Sequence, residues 1–79
     1  MPLRRTVLRN TGVFTQAAAQ GKTVKFRYTD ASGVTSKRTV TIVSAEKTRH
    51  NPDALIVRAQ DGLNQRSFRT DRVTHARLV

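Results

Sequence analysis

The sequence contains no cysteine, and only five of its 79 residues are acidic. The absence of cysteine excludes disulfides, thiolate nucleophiles and zinc–thiolate sites. No apolar run approaches the ~18 residues that a membrane-spanning helix needs. A chain of this length has room for one domain. We therefore expect one small domain that does not cross a membrane.

The start of the chain is also without an apolar segment. Met1 is followed by Pro2-Leu3-Arg4-Arg5, and a secretory signal peptide would need a hydrophobic stretch behind this charge. The lack of cysteine suits a reducing compartment. We therefore predict a cytoplasmic protein with no membrane partner.

Positive charge is what the composition has in excess. Fifteen Lys and Arg residues against five Asp and Glu residues give a net charge of +10. Arginine outnumbers lysine, and its planar guanidinium fits phosphate, although a GC-rich genome also enriches arginine. Excess charge of one sign costs folding free energy through self-repulsion. An anionic partner is the favoured explanation.

Hydrophobic periodicity predicts one short helix over residues 11–20. Asn10-Thr11 offers an N-cap, and Gly21 lies where a C-terminal glycine would end the helix. The apolar side chains on one helical face are Val13, Phe14, Ala17 and Ala18. Residues 1–10 are basic and unpatterned, and we interpret them as a flexible arm before a domain covering 11–79.

Five stretches then alternate between apolar and polar residues, as half-buried strands do. They lie at about residues 24–28, 34–44, 54–59, 63–69 and 73–79. Turn residues at Asp30–Gly33, Asp61-Gly62 and 70–72 separate them, and Pro52 marks a loop over 45–53. The long second strand is expected to bend between two halves of a barrel. The pattern predicts a mainly β fold, a helix and a small closed barrel of five antiparallel strands.

One segment resembles a known family. Arg66-Ser67-Phe68-Arg69-Thr70-Asp71-Arg72-Val73 is similar to the closing motif of WYL domains, Arg-x-Phe-Arg-x-Asp-Arg followed by Ile or Val. The upstream order is also similar: an Ala-rich helix, a strand ending in Phe26-Arg27-Tyr28, and a strand carrying Arg38. The family's name-giving Trp-Tyr-Leu triplet would fall near Ala54-Leu55-Ile56, where neither aromatic residue is present, and the family's strand-two proline is also missing. The chain looks like a divergent, stand-alone WYL domain.

The resemblance implies a fold, a function and a ligand site. The fold is an Sm-like (Src-homology-3-type) small β-barrel, and the function is regulatory sensing of a nucleic acid or nucleotide. The basic residues that would line the ligand site are Arg38, Arg66, Arg69 and Arg72.

Two interpretations of these four arginines are open. In the first, Arg38, Arg66 and Arg69 form one anion site that grips phosphates, and Arg72 braces the turn. In the second, Asp71 pairs with Arg69 or Arg72, and the other arginines are solvated surface.

Two weaker sets of binding residues follow. Tyr28 lies at a strand end and is a candidate for stacking on a base, whereas Phe26 and Phe68 are expected in the core. Mobile basic segments are candidates for non-specific phosphate contacts, or are simply solvated. The residues of these segments are Arg4, Arg5, Arg9, Lys47 and Arg49.

Catalysis and metal binding are not indicated. His50 and His75 lie in different elements without partners at metal-ligand spacing. Asp71 and His75 have no nucleophile elbow or oxyanion turn near them. We therefore expect a protein that is not an enzyme and holds no metal or cofactor.

The function predicted from the sequence is a regulatory module that binds single-stranded DNA or RNA, or a nucleotide, with weak sequence preference. The alternative is a protein–protein interaction module, which docks on an acidic partner protein or assembles as a homo-oligomer.

Overall fold

A computed structural model describes residues 4–49 and 51–79, and for Arg4 it describes the backbone only. This part of the chain forms one α-helix, five β-strands and one short 3₁₀ helix. Their bounds are α1 Arg4–Gln20, β1 Thr23–Thr29, β2 Thr35–Lys47, β3 Leu55–Asp61, β4 Asn64–Arg69, the 3₁₀ helix Thr70–Arg72, and β5 Val73–Leu78.

The five strands form one antiparallel sheet in the order β4-β3-β2-β1-β5. The predicted helix and five antiparallel strands are confirmed. The sheet is not closed into a barrel by hydrogen bonds, because β4 and β5 lie at its two opposite edges. The residues between these strands form a 3₁₀ helix instead of a hairpin, and β5 pairs with β1.

Strand β2 is the bent strand of the sheet. Its first half pairs with β1 and its second half with β3, and the pairing shifts between Ile42 and Ser44. The extra residue on β2 at this point forms a β-bulge, a feature that bends a strand. The closed barrel whose two halves the bend was expected to join is not formed. The strand continues to Lys47, so the loop predicted from residue 45 starts later. Ala45 is half-buried and pairs with Val57, which keeps this segment in the sheet.

Helix α1 starts at Arg4, so residues 4–10, which the sequence predicted as a flexible arm, are helical. The expected N-cap residues lie inside the helix and attach it to the sheet. The amide Nδ2 of Asn10 donates to the carbonyl of Val73 at 2.8 Å, and Thr11 Oγ1 donates to the carbonyl of Asp53 at 2.7 Å. Their side chains bond to carbonyls of β5 and of the loop before β3, and not to the helix's own N–H groups.

The end of α1 agrees with the prediction. Gly21 has a positive φ of 61°, which an L side chain rarely adopts, and the N–H of Lys22 donates to the carbonyl of Ala17 at 2.9 Å. This is the hydrogen bond of a Schellman motif, which satisfies a carbonyl at the helix end.

Aromatic rings form the centre of the core. Phe26 meets Phe14 at 5.3 Å and Phe68 at 5.1 Å between ring centroids, in edge-to-face contacts. Tyr28 meets Phe68 in the same way at 4.9 Å. Because such pairs add to the free energy of burial, this cluster fixes β1 against β4 across the bent sheet.

Two turns were also predicted correctly. In the β1–β2 turn, Asp30 Oδ1 accepts hydrogen bonds from the N–H and the hydroxyl of Ser32 and from the N–H of Val34. These hydrogen bonds lower the pKa of Asp30, and the one from the Ser32 hydroxyl has the largest effect. In the β3–β4 hairpin, Gly62 takes a positive φ of 62°.

Candidate polyanion-binding site

Arg38 and Arg66 lie on the inner face of the sheet, which we define as the face carrying the buried side chains of the core. Arg38 is directly opposite the buried Phe26 in the β1–β2 register, and Arg66 is opposite the buried Ala59 in the β3–β4 register. Because side chains alternate along a strand, Arg66 also shares its face with Phe68. The bend of the sheet brings these strands together at one end of the core.

The two arginines meet at one carboxylate oxygen. The Nη1 atom of Arg38 and the Nε atom of Arg66 each lie 3.4 Å from Oδ2 of Asp61. Asp61 is on the same face, two residues beyond the buried Ala59. Two positive charges thus share one negative charge, which leaves this Arg38–Arg66 pair with an excess of positive charge.

The pair also has more hydrogen-bond donors than the protein uses. A guanidinium carries five N–H groups. In the described part of the chain, Arg38 donates from Nε to the hydroxyl of Ser36 at 3.1 Å and from Nη1 to Asp61. Arg66 is about half exposed, and its contact with Asp61 uses Nε. Terminal amino groups of both residues are therefore available to an oxyanion, for which the guanidinium fork is well suited.

An aromatic side chain lies beneath the pair. The guanidinium carbon of Arg38 is 5.9 Å from the centre of the Phe68 ring, within the range of a cation–π interaction. Tyr28, predicted as a stacking residue, packs against the same ring, and its hydroxyl accepts a hydrogen bond from the N–H of Arg69 at 3.4 Å. Tyr28 is half-buried, and the structure places it in the aromatic cluster beside the pair.

Arg69 does not join the other two arginines. It is opposite the exposed Ile56, on the outer face of the sheet. Its guanidinium binds Asp71 at two points, with Nη2–Oδ2 at 2.7 Å and Nε–Oδ1 at 3.1 Å. Asp71 is buried, so this is an internal contact of the turn.

The hypothesis of one site formed by Arg38, Arg66 and Arg69 is therefore corrected. Strand alternation separates Arg69 from Arg66. Arg69 takes the bracing role that the first interpretation gave to Arg72, and its contact with Asp71 is one of the two pairings that the second interpretation allowed. Asp71 pairs with Arg69 and not with Arg72, which is half-buried at the end of the 3₁₀ helix.

The secondary basic residues are dispersed over the molecule. Arg5 and Arg9 are exposed on α1, while Lys47 is exposed at the end of β2 and Arg49 in the loop after it. The side chain of Arg4, and His50, lie outside the described residues.

Four basic residues that were not proposed from the sequence join Arg9 and Arg38 around one groove: Lys25, Arg27, Lys37 and Arg77. This groove of about 860 Å³ is bounded by the first half of α1 and by β1, β2 and β5. Its lining contains no acidic residue. The basic residues in its lining, besides His75, are Arg9, Lys25, Arg27, Lys37, Arg38 and Arg77. Alternation with apolar residues marks Lys25 and Arg27 as solvent-facing, but only the strand register shows which cations are their neighbours.

His75 lies in the same groove at an irregular point of β5. The pairing of β5 with β1 shifts between Lys25 and Arg27, and His75 has a φ of +57°. Histidine tolerates this left-handed conformation better than most non-glycine residues. The bulge also interrupts the alternation that the sequence predicted for this strand, so that Val73 and Ala76 are both buried.

No family model, curated protein or solved structure matches the chain. The resemblance of residues 66–73 to WYL domains stays a prediction. In the described part of the chain, no group of three or more metal-ligating side chains occurs, and no helix has the length and apolar character to cross a membrane.

Proposed function

We propose that this domain binds nucleic acid or nucleotides without catalysing a reaction, and that the Arg38–Arg66 pair contacts their phosphates. The supporting observation is the convergence of two guanidinium groups on one oxygen of Asp61. An incoming phosphate would meet unused N–H donors in fork geometry, next to an aromatic ring. Bidentate Arg–phosphate contacts are among the stronger hydrogen bonds in proteins.

The charge balance of the chain supports an anionic ligand. The carboxylate of Asp71 forms an ion pair with Arg69, and that of Asp61 is shared by two arginines. The carboxylate of Asp30 accepts hydrogen bonds within its own turn. With a net charge of +10, the domain carries considerable self-repulsion. Binding a polyanion relieves this repulsion and releases counterions from the ligand.

The resemblance to WYL domains supports the same class of ligand. Arg38 and Arg66 stand at two of the positions where the resemblance implies a ligand contact. A regulatory role, in which the bound nucleic acid or nucleotide is the signal, follows from that resemblance.

The test is fluorescence anisotropy with labelled single-stranded oligothymidylate and oligouridylate at low salt. The variant is Arg66→Ala, and the matched control is Arg58→Ala, which removes an equal charge from an exposed position on β3. Since a hydrogen bond to a charged group contributes about 1.5–3 kcal/mol, Arg66→Ala should weaken binding at least about tenfold. Arg58→Ala should change it by no more than about twofold.

Two results would contradict the proposal: equal affinities of the two variants, or no binding of either oligonucleotide by the parent protein. The second result would favour a protein-interaction module instead. The open sheet supports that alternative, because the outer edges of β4 and β5 are not paired within the described chain and a partner's strand can add to such an edge.

A further inference from the structure

Four basic residues form one diagonal row across β2, β1 and β5. Arg27 is directly opposite Lys37, and Lys25 is directly opposite Arg77. All four residues are exposed. They lie on the outer face of the sheet, because the alternate residues of β1 are buried. We call these four residues the outer-face row.

The Cα atoms of the row are close together. Residues directly opposite in an antiparallel pair have Cα atoms about 4.5–5.5 Å apart. Lys25 and Arg27 are two residues apart on one strand, which corresponds to roughly 6.8 Å. The row therefore presents four cations close together along one line, which suits contact with a phosphate backbone.

Arranging the row in this way is unfavourable in the free protein. Like charges directly opposite in a sheet destabilise it, and both cross-strand pairs of the row are of like charge. The ion pairs of Asp61 and Asp71 involve other arginines, and the groove has no acidic lining residue. None of these ion pairs of the described residues involves the row, and an external anion would relieve its repulsion.

The groove supplies further groups that bind phosphate oxygens. Arg9 on α1 lines it from the helix side, and the hydroxyl-bearing Thr6, Thr39 and Thr74 also line it. Both cations and hydroxyls are common phosphate ligands in protein–nucleic acid complexes. Phe26 belongs to the lining but is 3% exposed, so it offers no surface for stacking.

His75 is the lining residue that can contact a base. The bulge in β5 holds it at positive φ, exposed and in the lining of the groove. Bulges change the direction in which a side chain points, and strained backbone is concentrated at binding sites. An imidazole ring stacks on unpaired bases, as other aromatic side chains do.

We propose that the groove is a second binding site, in which the outer-face row binds the sugar–phosphate backbone of a single-stranded nucleic acid and His75 stacks on one of its bases. This inference rests on the proposed function, because it concerns the same class of ligand. None of the four residues of the outer-face row belongs to the Arg38–Arg66 pair. Arg38 borders the groove as well as belonging to the pair, so the variants that test the groove leave Arg38 unchanged.

The first experiment measures the salt dependence of binding. Arg27→Ala/Arg77→Ala removes two cations of the row, and Lys22→Ala/Arg58→Ala removes two exposed cations outside the groove. Labelled oligothymidylate is titrated with each protein between about 50 and 200 mM salt. Each lost phosphate contact should reduce the log–log slope by about 0.7, so the row variant should lose about 1.4. The control should keep the slope of the parent.

The second experiment tests the stacking. His75→Gly removes the imidazole, and glycine adopts the positive φ without strain, so the melting temperature should not fall. Affinity for oligothymidylate should decrease at least about fivefold, the lower limit for a stacked base. The salt slope should be unchanged, and affinity for a duplex, whose bases are paired, should also be unchanged.

The outcomes separate the groove from the pair. If Arg66→Ala weakens binding while the row variant has the salt slope of its control, the groove proposal is wrong and the proposed function stands. A loss of duplex and single-strand affinity alike in His75→Gly would contradict the stacking. If the parent protein binds no oligonucleotide, both proposals are wrong.

Discussion

The inner and outer faces of one sheet hold arginines in two different electrostatic settings. On the inner face, Arg38 and Arg66 share the carboxylate of Asp61 and lie next to the Phe68 ring. On the outer face, Lys25 and Arg27 are opposite further cations and have no acidic residue in their groove. On the inner face, contacts with Asp61 and Phe68 hold the guanidinium groups in place. On the outer face, cations are neighbours of cations and no such contact among the described residues holds them.

This difference has consequences for ligand binding. A pair of guanidinium groups held by a carboxylate and an aromatic ring can discriminate the shape of an oxyanion. A row of exposed cations attracts any polyanion, and its effect decreases steeply with salt. Basic residues therefore recognise the shape of an anion on the inner face and attract anions over a longer range on the outer face.

The largest expected effect is on the inner face, where the site is built on the core. Phe68→Ala should lower the free energy of unfolding by about 3–5 kcal/mol, because Phe68 is 4% exposed and contacts Phe26 and Tyr28. Arg27→Ala, on the outer face, should change it by less than about 0.5 kcal/mol. Urea denaturation followed by circular dichroism measures both.

A second, more conservative substitution at Phe68 is the control for this prediction. Phe68→Leu fills most of the space and should lie between the parent and Phe68→Ala in stability. A loss below about 1 kcal/mol for Phe68→Ala would show that the inner site does not depend on the core.

An intermediate effect is expected when the shared carboxylate is removed. Asp61→Asn keeps the size of the side chain and frees both arginines of the pair from their negative partner. Two unit charges about 4 Å apart in water interact by about 1 kcal/mol. Removing the repulsion between the Asp61 carboxylate and a bound phosphate should therefore increase affinity for oligothymidylate roughly fivefold. Glu46→Gln makes the same change of net charge at an exposed position on β2 and is the control. Equal effects of the two variants would mean that only total charge matters.

The smallest effect is expected when the outer face is given the compensation that the inner face has. Lys37→Glu places an acid directly opposite Arg27. Replacing a like-charged by an oppositely charged cross-strand pair should stabilise the domain by about 0.2–1 kcal/mol, and less at high salt. Thermal unfolding of Lys37→Glu and Lys37→Gln at two salt concentrations distinguishes attraction from simple loss of repulsion. Identical melting temperatures would indicate that the row does not strain the sheet.

Much of the fold could be predicted from local patterns. The alternation of Val24, Phe26 and Tyr28 with polar residues is a property of β1 alone, and Gly21 ends α1 through its own backbone conformation. The first half of α1 was not predicted because its contacts are with residues distant in the sequence and leave no local pattern. Its buried residues, Val7 and Asn10, are few, and Asn10 is polar because it bonds to the distant β5.

The candidate site depended on information that a single sequence does not contain. Because side chains alternate along a strand, the order of residues in the motif is enough to place Arg66 and Phe68 on one face of β4, and the structure agrees. Which arginine binds Asp71 was decided by the geometry of the 3₁₀ helix, and the outer-face row by a strand register that no local pattern specifies. The bulge at His75 is a conformational irregularity that its own sequence does not mark.

The attachment of α1 to the sheet also determines when the domain can form. Asn10 and its partner Val73 are 63 residues apart, and α1 is made first during synthesis. Most of the stability of a helix in a protein comes from packing against the rest of the fold and not from the helix alone. During synthesis α1 therefore lacks this anchor until β5 has been added to the chain. We expect the buried hydrogen bond, and with it the docking of α1 on the sheet, to form late in folding.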